Sequence, residues 1–223
     1  GFEPEFIGRL PIQVVCEELE AKDLYKILCN SEGSIIHQYE RAFQAYGINV
    51  MFANEALHAI SAQAHKQKTG ARALMTVCEK ILRDYKFELP SVNIDEFVVT
   101  ADVVRQPQAE LAKILDDPDY NRWLVAVEKV RRYEIAFEKK HNMQISFDDE
   151  ATSIICQMTG EQTPEEICDQ ILESYEHGLS LIKQNTGTSR FVLTKQVVQD
   201  PDTVLEKWIR ESYLAKSKDA DPV

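Results

Sequence analysis

Lys68-Thr69-Gly70-Ala71-Arg72 stands directly before a run whose apolar positions, Leu74, Val77, Ile81, Leu82 and Tyr85, keep one face at spacings of three and four. That spacing predicts an amphipathic helix opening near Arg72, and Gly70 gives the backbone the freedom to turn tightly into its first residue. Arg72 then occupies a helix N-terminus. Unpaired N–H groups and the positive end of the macrodipole gather there, so a cation is unfavourable by roughly 0.3–1 kcal/mol. Two readings are open at this point. Either the arginine turns out to water, or it attends an anion such as phosphate, with Lys66 and Lys68 just upstream adding charge of the same sign.

Outward from this stretch, Pro90 closes the helical region, and Ile94 to Val99 reads as a strand. On the other side, Asn54 is the expected cap of a helix bearing Ala56, Leu57, Ile60 and Ala64, and Ile48-Asn49-Val50-Met51-Phe52 reads as a strand before it. Residues 22–46 carry apolar positions at helical spacing, split in two at Asn30-Ser31-Glu32-Gly33. Ile12-Gln13-Val14-Val15 alternates and is expected to form a short strand after Pro11. The first hundred or so residues therefore make an α+β unit.

The same order recurs. Tyr39-Glu40-Arg41-Ala42-Phe43 returns as Tyr133-Glu134-Ile135-Ala136-Phe137, an offset of 94 residues. Val77-Cys78-Glu79-Lys80-Ile81-Leu82 returns as Ile167-Cys168-Asp169-Gln170-Ile171-Leu172 at an offset of 90. Val50 to Ala56 and Ile145 to Ala151 correspond, as do Phe97-Val98-Val99-Thr100 and Phe191-Val192-Leu193-Thr194. Self-similarity at a fixed period marks a repeated structural unit. The expected organisation is two tandem small α+β domains, each of helices packed on a short β-sheet: 1–107, a linker at 108–119, a degenerate copy at 120–214 and a polar tail at 215–223.

The copies differ at one place. Where the first has Lys-Thr-Gly-Ala-Arg, the second has Thr163-Pro164-Glu165-Glu166, a hydroxyl cap, proline at the first helical position and acids in the first turn. Those carboxylates satisfy the dipole and repel phosphate. An arginine set against local helix preference in one copy alone favours the anion reading for Arg72.

Composition limits the function classes. The chain has 223 residues, a formal net charge of -12 and 44% hydrophobic residues, enough to bury a full core. Such a charge disfavours nucleic acid and anionic membrane as partners. No apolar run approaches the roughly 20 residues that span a bilayer, and no signal peptide is visible. Cys16, Cys29, Cys78, Cys156 and Cys168 are odd in number and never spaced C-x-x-C. Reduced core thiols in a cytoplasmic protein are expected, and no metal site.

Glu5-Phe6-Ile7-Gly8-Arg9-Leu10-Pro11 and Lys68-Thr69-Gly70-Ala71-Arg72, with Leu89-Pro90-Ser91 after the helix, resemble the C-terminal part of the ClpX family of AAA+ protein unfoldases. The resemblance covers about residues 1 to 104, and the sister unfoldase HslU fits the second motif less well. It implies that Arg9 is the arginine finger reaching a neighbouring subunit's nucleotide, and that Arg72, with Gly70 and Ala71, is the sensor 2 element of an ATP site. It also implies a small domain packed in a hexameric ring, with protein substrates and a ClpP-type peptidase as partners. Two departures stand out: Cys29-Asn30-Ser31-Glu32 replaces the family's Glu-Pro-Lys-Asn, and Met75 stands where a second arginine is frequent. Both bear on subunit contacts rather than on nucleotide.

No G-x-x-x-x-G-K-[ST] loop occurs in the sequence, nor paired acids at a strand end to hold magnesium. The chain alone is thus expected not to hydrolyse ATP, while a parent protein supplies the large domain and its Mg2+. The alternative is a non-catalytic assembly or adaptor-docking module in which the two arginines are relics.

Overall fold

The computed structural model describes residues 3–9, 12, 14, 17–30, 34–160, 162–173 and 175–219, the side chains of 7, 30 and 215–219 excepted. Contacts divide the chain into two units, Gly1–Leu115 and Asp116–Val223. Both are α+β, mostly helical, with two short parallel strands in each.

The first unit runs α1 (Pro4–Gly8), α2 (Ala21–Asn30), α3 (Ile35–Gln44), β1 (Asn49–Phe52), α4 (Asn54–Lys66), α5 (Arg72–Glu88), a 3-10 turn over Leu89–Ser91, β2 (Glu96–Val99), α6 (Ala101–Arg105) and α7 (Pro107–Asp116). Strands β1 and β2 pair in parallel, Val50 opposite Phe97 and Phe52 opposite Val99. A parallel pair needs a long crossover, and α4 with α5 supplies it. The buried stripe of α5 is the one its periodicity marks: Leu74, Val77, Ile81, Leu82 and Tyr85 all lie inside. Tyr85 stacks on Phe97 at 4.9 Å between ring centroids. Its hydroxyl donates to the Pro107 carbonyl at 2.8 Å, so a large aromatic is buried without orphaning its polar tip.

The second unit runs α8 (Pro118–His141), β3 (Gln144–Phe147), α9 (Asp149–Met158), α10 (Pro164–Glu173), α11 (Tyr175–Thr186), β4 (Arg190–Leu193), α12 (Lys195–Gln199) and α13 (Pro201–Asp219). Strands β3 and β4 again pair in parallel, Ile145 opposite Phe191. Its core gathers Val130, Phe137, Ile145, Ile155, Ile167, Cys168, Leu172, Tyr175 and Leu193.

Several contacts occur in both units at matching places. Tyr39 donates its hydroxyl to Glu79 at 2.8 Å, and Tyr133 donates to Asp169 at 2.7 Å. Tyr85 bonds the Pro107 carbonyl, and Tyr175 the Pro201 carbonyl. Ala53 N–H bonds the Val99 carbonyl, and Asp148 N–H the Leu193 carbonyl. Cys78 and Cys168 are both buried, and burial pushes each thiol up to about 12.

Of Ile12-Gln13-Val14-Val15, expected as a strand, Ile12 and Val14 are exposed, and Gln13 and Val15 lie outside the described residues, as do Cys16 and the turn at 31–33. Two expectations are corrected. Asn54 is the first residue of α4 rather than its cap, which is Ala53, because its side-chain oxygen accepts from the Tyr25 hydroxyl at 2.6 Å. The stretch 108–119 read as a linker is helical but for Asp117, which separates α7 from α8; its Leu111 and Ile114 are buried, and the division between the two units falls within it, after Leu115. Pro107 and Pro118 each open a helix at its first residue, where a missing N–H costs nothing. The expected tail at 215–223 is helical to Asp219 and lies outside the described residues beyond it.

Candidate anion site at the start of helix α5

Helix α4 ends at Lys66, and the chain reverses through two left-handed residues, Lys68 at φ 53 and Gly70 at φ 63. Only the second is a glycine, so Lys68 carries the backbone cost of a side chain in that region. Ala71 caps α5 with helical φ and ψ and no side-chain hydrogen bond, and no acid occurs in the first turn. The N–H groups of Ala73 and Leu74 bond back to the carbonyls of Gly70 and Ala71, both at 3.1 Å. Among the described residues, the N–H groups of Ala71 and Arg72 have no such partner, and no carboxylate pairs with Arg72. Arg72 and Lys68 are exposed. Open donors, an uncompensated dipole and a guanidinium coincide at one point, which suits a phosphate chemically.

On one side of this loop lies a cleft of about 380 Å³ lined by Glu17, Leu19, Leu24, His65, Lys68 and Gly70. His65 Nδ1 lies 3.1 Å from the Leu19 carbonyl; the carbonyl can only accept, so the proton sits on Nδ1. A Cβ at Gly70 would rest 4.0 Å from Leu19 Cδ1. The segment 17–19 thus packs on the loop, which the sequence reading missed, since an irregular stretch has no periodicity to betray it. Its only signal was its place between Arg9 and α2. On the other side a groove of about 450 Å³ runs along α5, lined by Arg72, Met75, Thr76, Glu79, Lys80 and Arg83.

The structure brings Gly70, Ala71 and Arg72 together, as contiguity requires. Arg9 stands apart: it follows the five-residue α1, bonds the Phe6 carbonyl through its N–H at 3.2 Å, and exposes its side chain. It shares no hydrogen bond or ion pair with residues 68–72 among the described residues.

In the second unit the matching helix α10 begins in the opposite way. Thr163 Oγ1 accepts from the Glu166 N–H at 3.3 Å, and Glu166 accepts from the Thr163 N–H at 2.8 Å. This reciprocal capping box, with Glu165 beside it, satisfies the cap N–H whose counterpart Ala71 leaves open, and Pro164 has no N–H where Arg72 has one.

Among the described residues, no group of three or more His, Cys, Asp or Glu is placed to hold a metal, and no helix is long and apolar enough to cross a membrane.

Comparison with known proteins gives relatives for about half the chain. Over 111 residues it is 41% identical to the ATP-dependent Clp protease ATP-binding subunit ClpX of Borrelia duttonii, a match covering 49% of this chain and 26% of the relative. The ClpX of Borrelia recurrentis matches equally, at 41% over 111 residues with the same coverage. The ATP-dependent protease ATPase subunit HslU of Halalkalibacterium halodurans is 35% identical over 122 residues, 52% of this chain and 26% of the relative. The chain spans about a quarter of the length of these curated relatives. No protein-family model matches it.

Proposed function

We propose that this chain is the C-terminal, nucleotide-sensing and ring-assembly part of an ATP-dependent ClpX-like protein unfoldase, with its first unit carrying the working site and its second a degenerate copy. Similarity to ClpX and HslU supports the class. The observation that carries the site is the contrast between two equivalent helix starts. One is closed by its own capping box, and the other has no side-chain cap, no acid in its first turn and an exposed arginine at its first residue. The paired tyrosine contacts and the shared strand register support the reading of the second unit as a copy.

ATP supplies the phosphoryl group whose hydrolysis drives unfolding, with Mg2+ held by a large domain outside this sequence. Within this chain, Arg72 and the N–H groups of Ala71 and Arg72 bind phosphate charge, and Gly70 holds the turn that aims them. Arg9, exposed beyond a single helical turn, acts on the nucleotide of a neighbouring subunit. Its guanidinium opposes charge that builds in the transition state, and therefore affects turnover more than affinity. Other ring subunits, protein substrates and a ClpP-type peptidase are the partners that go with this reading.

The test uses the full-length parent. Arg72→Glu abolishes the nucleotide-dependent step while the fold persists, because an acid in the first turn is locally favourable by about 0.3–1 kcal/mol. Arg9→Ala lowers turnover by about 10³-fold with nucleotide affinity retained. Replacing Glu165 and Glu166 with Gln leaves the nucleotide response unchanged. If those two changes disturbed nucleotide response as much as Arg72→Glu does, the site would lie in the other unit.

A further inference from the structure

The outer faces of α5 and α10 occupy equivalent places in the two units and carry opposite charge. On α5 the exposed positions include Arg72, Lys80, Arg83 and Lys86; Glu79 accepts from the Tyr39 hydroxyl, Asp84 lies 3.5 Å from Arg83, and Glu88 is exposed at the helix's end. On α10 and the start of α11 the corresponding face holds Glu165, Glu166, Asp169, Glu173 and Glu176, with Gln170 where α5 has Lys80. In a chain of net charge -12 a basic helix face runs against composition, and its acidic counterpart recurs at the same offset.

Each face also has relief. The α5 groove of about 450 Å³ contains the half-exposed Met75. The α10 face borders a groove of about 370 Å³ lined by Phe137, Lys140, His141, Asp169, Glu173 and Glu176 among others. His141 lies 3.0 Å from Glu176, and Glu173 is exposed.

We propose that the basic face of α5 in one copy of this chain docks on the acidic face of α10 in a second copy. The contact is heterologous, since two different surfaces meet, so it propagates head to tail and closes into a ring only if the rotation allows. Opposite charges speed the encounter and fix its register, while contact between two α10 faces is repelled. This goes beyond the nucleotide reading: neither Lys80 nor Arg83 belongs to the anion site, and no nucleotide is needed for the contact.

Sedimentation velocity on the 223-residue chain without nucleotide tests it. The wild type associates with rising concentration at about 50 mM salt, and much less at about 500 mM, where screening is short-ranged. One variant, Lys80→Glu with Arg83→Glu, makes both faces acidic; another, Gln170→Lys with Glu173→Lys, makes the α10 face basic. Each alone associates at least about tenfold more weakly than wild type, and an equimolar mixture regains association because each supplies the face the other has lost. All four positions are exposed, and circular-dichroism melts establish that both variants are folded. A wild type that stays monomeric to about 100 μM at low salt overturns the proposal, and so does an association indifferent to both reversals.

Discussion

Backbone geometry at single residues yields the sharpest consequences. Gly70 sits at φ 63, and a Cβ there would meet nothing closer than an ordinary contact with Leu19 Cδ1 at 4.0 Å, so Gly70→Ala loses stability through backbone strain, about 1–2 kcal/mol in a urea melt. Gly178 is the reverse case: its helical backbone tolerates alanine, but a Cβ there would come within 2.5 Å of Leu205 Cδ1 and 3.1 Å of its Cγ. Leu205 is buried and must move as a whole, which costs about 1–3 kcal/mol, while the helix gains about 1 kcal/mol from losing a glycine. The net expectation for Gly178→Ala is destabilisation by about 1 kcal/mol. Tyr85→Phe and Tyr175→Phe each strand a proline carbonyl that had a hydroxyl donor, and each should cost about 1–3 kcal/mol. Similar losses at both tyrosines are the outcome that a shared architecture requires.

Elements differ in how far local sequence specifies them. The capping box of α10 was legible in Thr163-Pro164-Glu165-Glu166 because its chemistry is all local, and Thr163→Ala should cost about 0.5–2 kcal/mol by thermal melt without touching any anion response. Helix α5 was legible for the same reason: a long apolar stripe admits one period. The failures share a cause in distant partners. Asn54 looks like a cap until Tyr25, twenty-nine residues away, takes its side-chain oxygen. Pro107 and Pro118 look like breaks around a linker, yet each begins a helix, and nothing in residues 108–116 announces that Leu111 and Ile114 will be buried. Arg9 enters as a candidate through resemblance alone, for an exposed arginine after one helical turn has no local mark of purpose.

At the scale of the whole molecule, titration couples to folding. Burial raises the thiols of Cys78 and Cys168 from 9.0 to about 12, and raises the Tyr39 and Tyr133 hydroxyls in the same direction. Above pH 9 the unfolded chain releases thiol protons that the native state retains, so the unfolded state binds fewer protons and stability must fall as pH rises from about 9 toward 12. Urea midpoints measured across that window should drop steadily, and a flat profile would mean the two thiols ionise freely. The purified chain should also show no ATPase activity above background, because it has arginines to place but no phosphate loop to orient water. The uncapped start of α5 carries a last consequence, in the language of mass action. On the proposed reading of that start as an anion site, a bound anion completes the helix end and adds stability by mass action, about 2.7 kcal/mol at a hundred times the dissociation constant. The sealed start of α10 has no such dependence. Phosphate concentration then acts as a dial on one unit and leaves the other unmoved, so in a calorimeter a titration should slide the melting of the first unit past a second that stays in place.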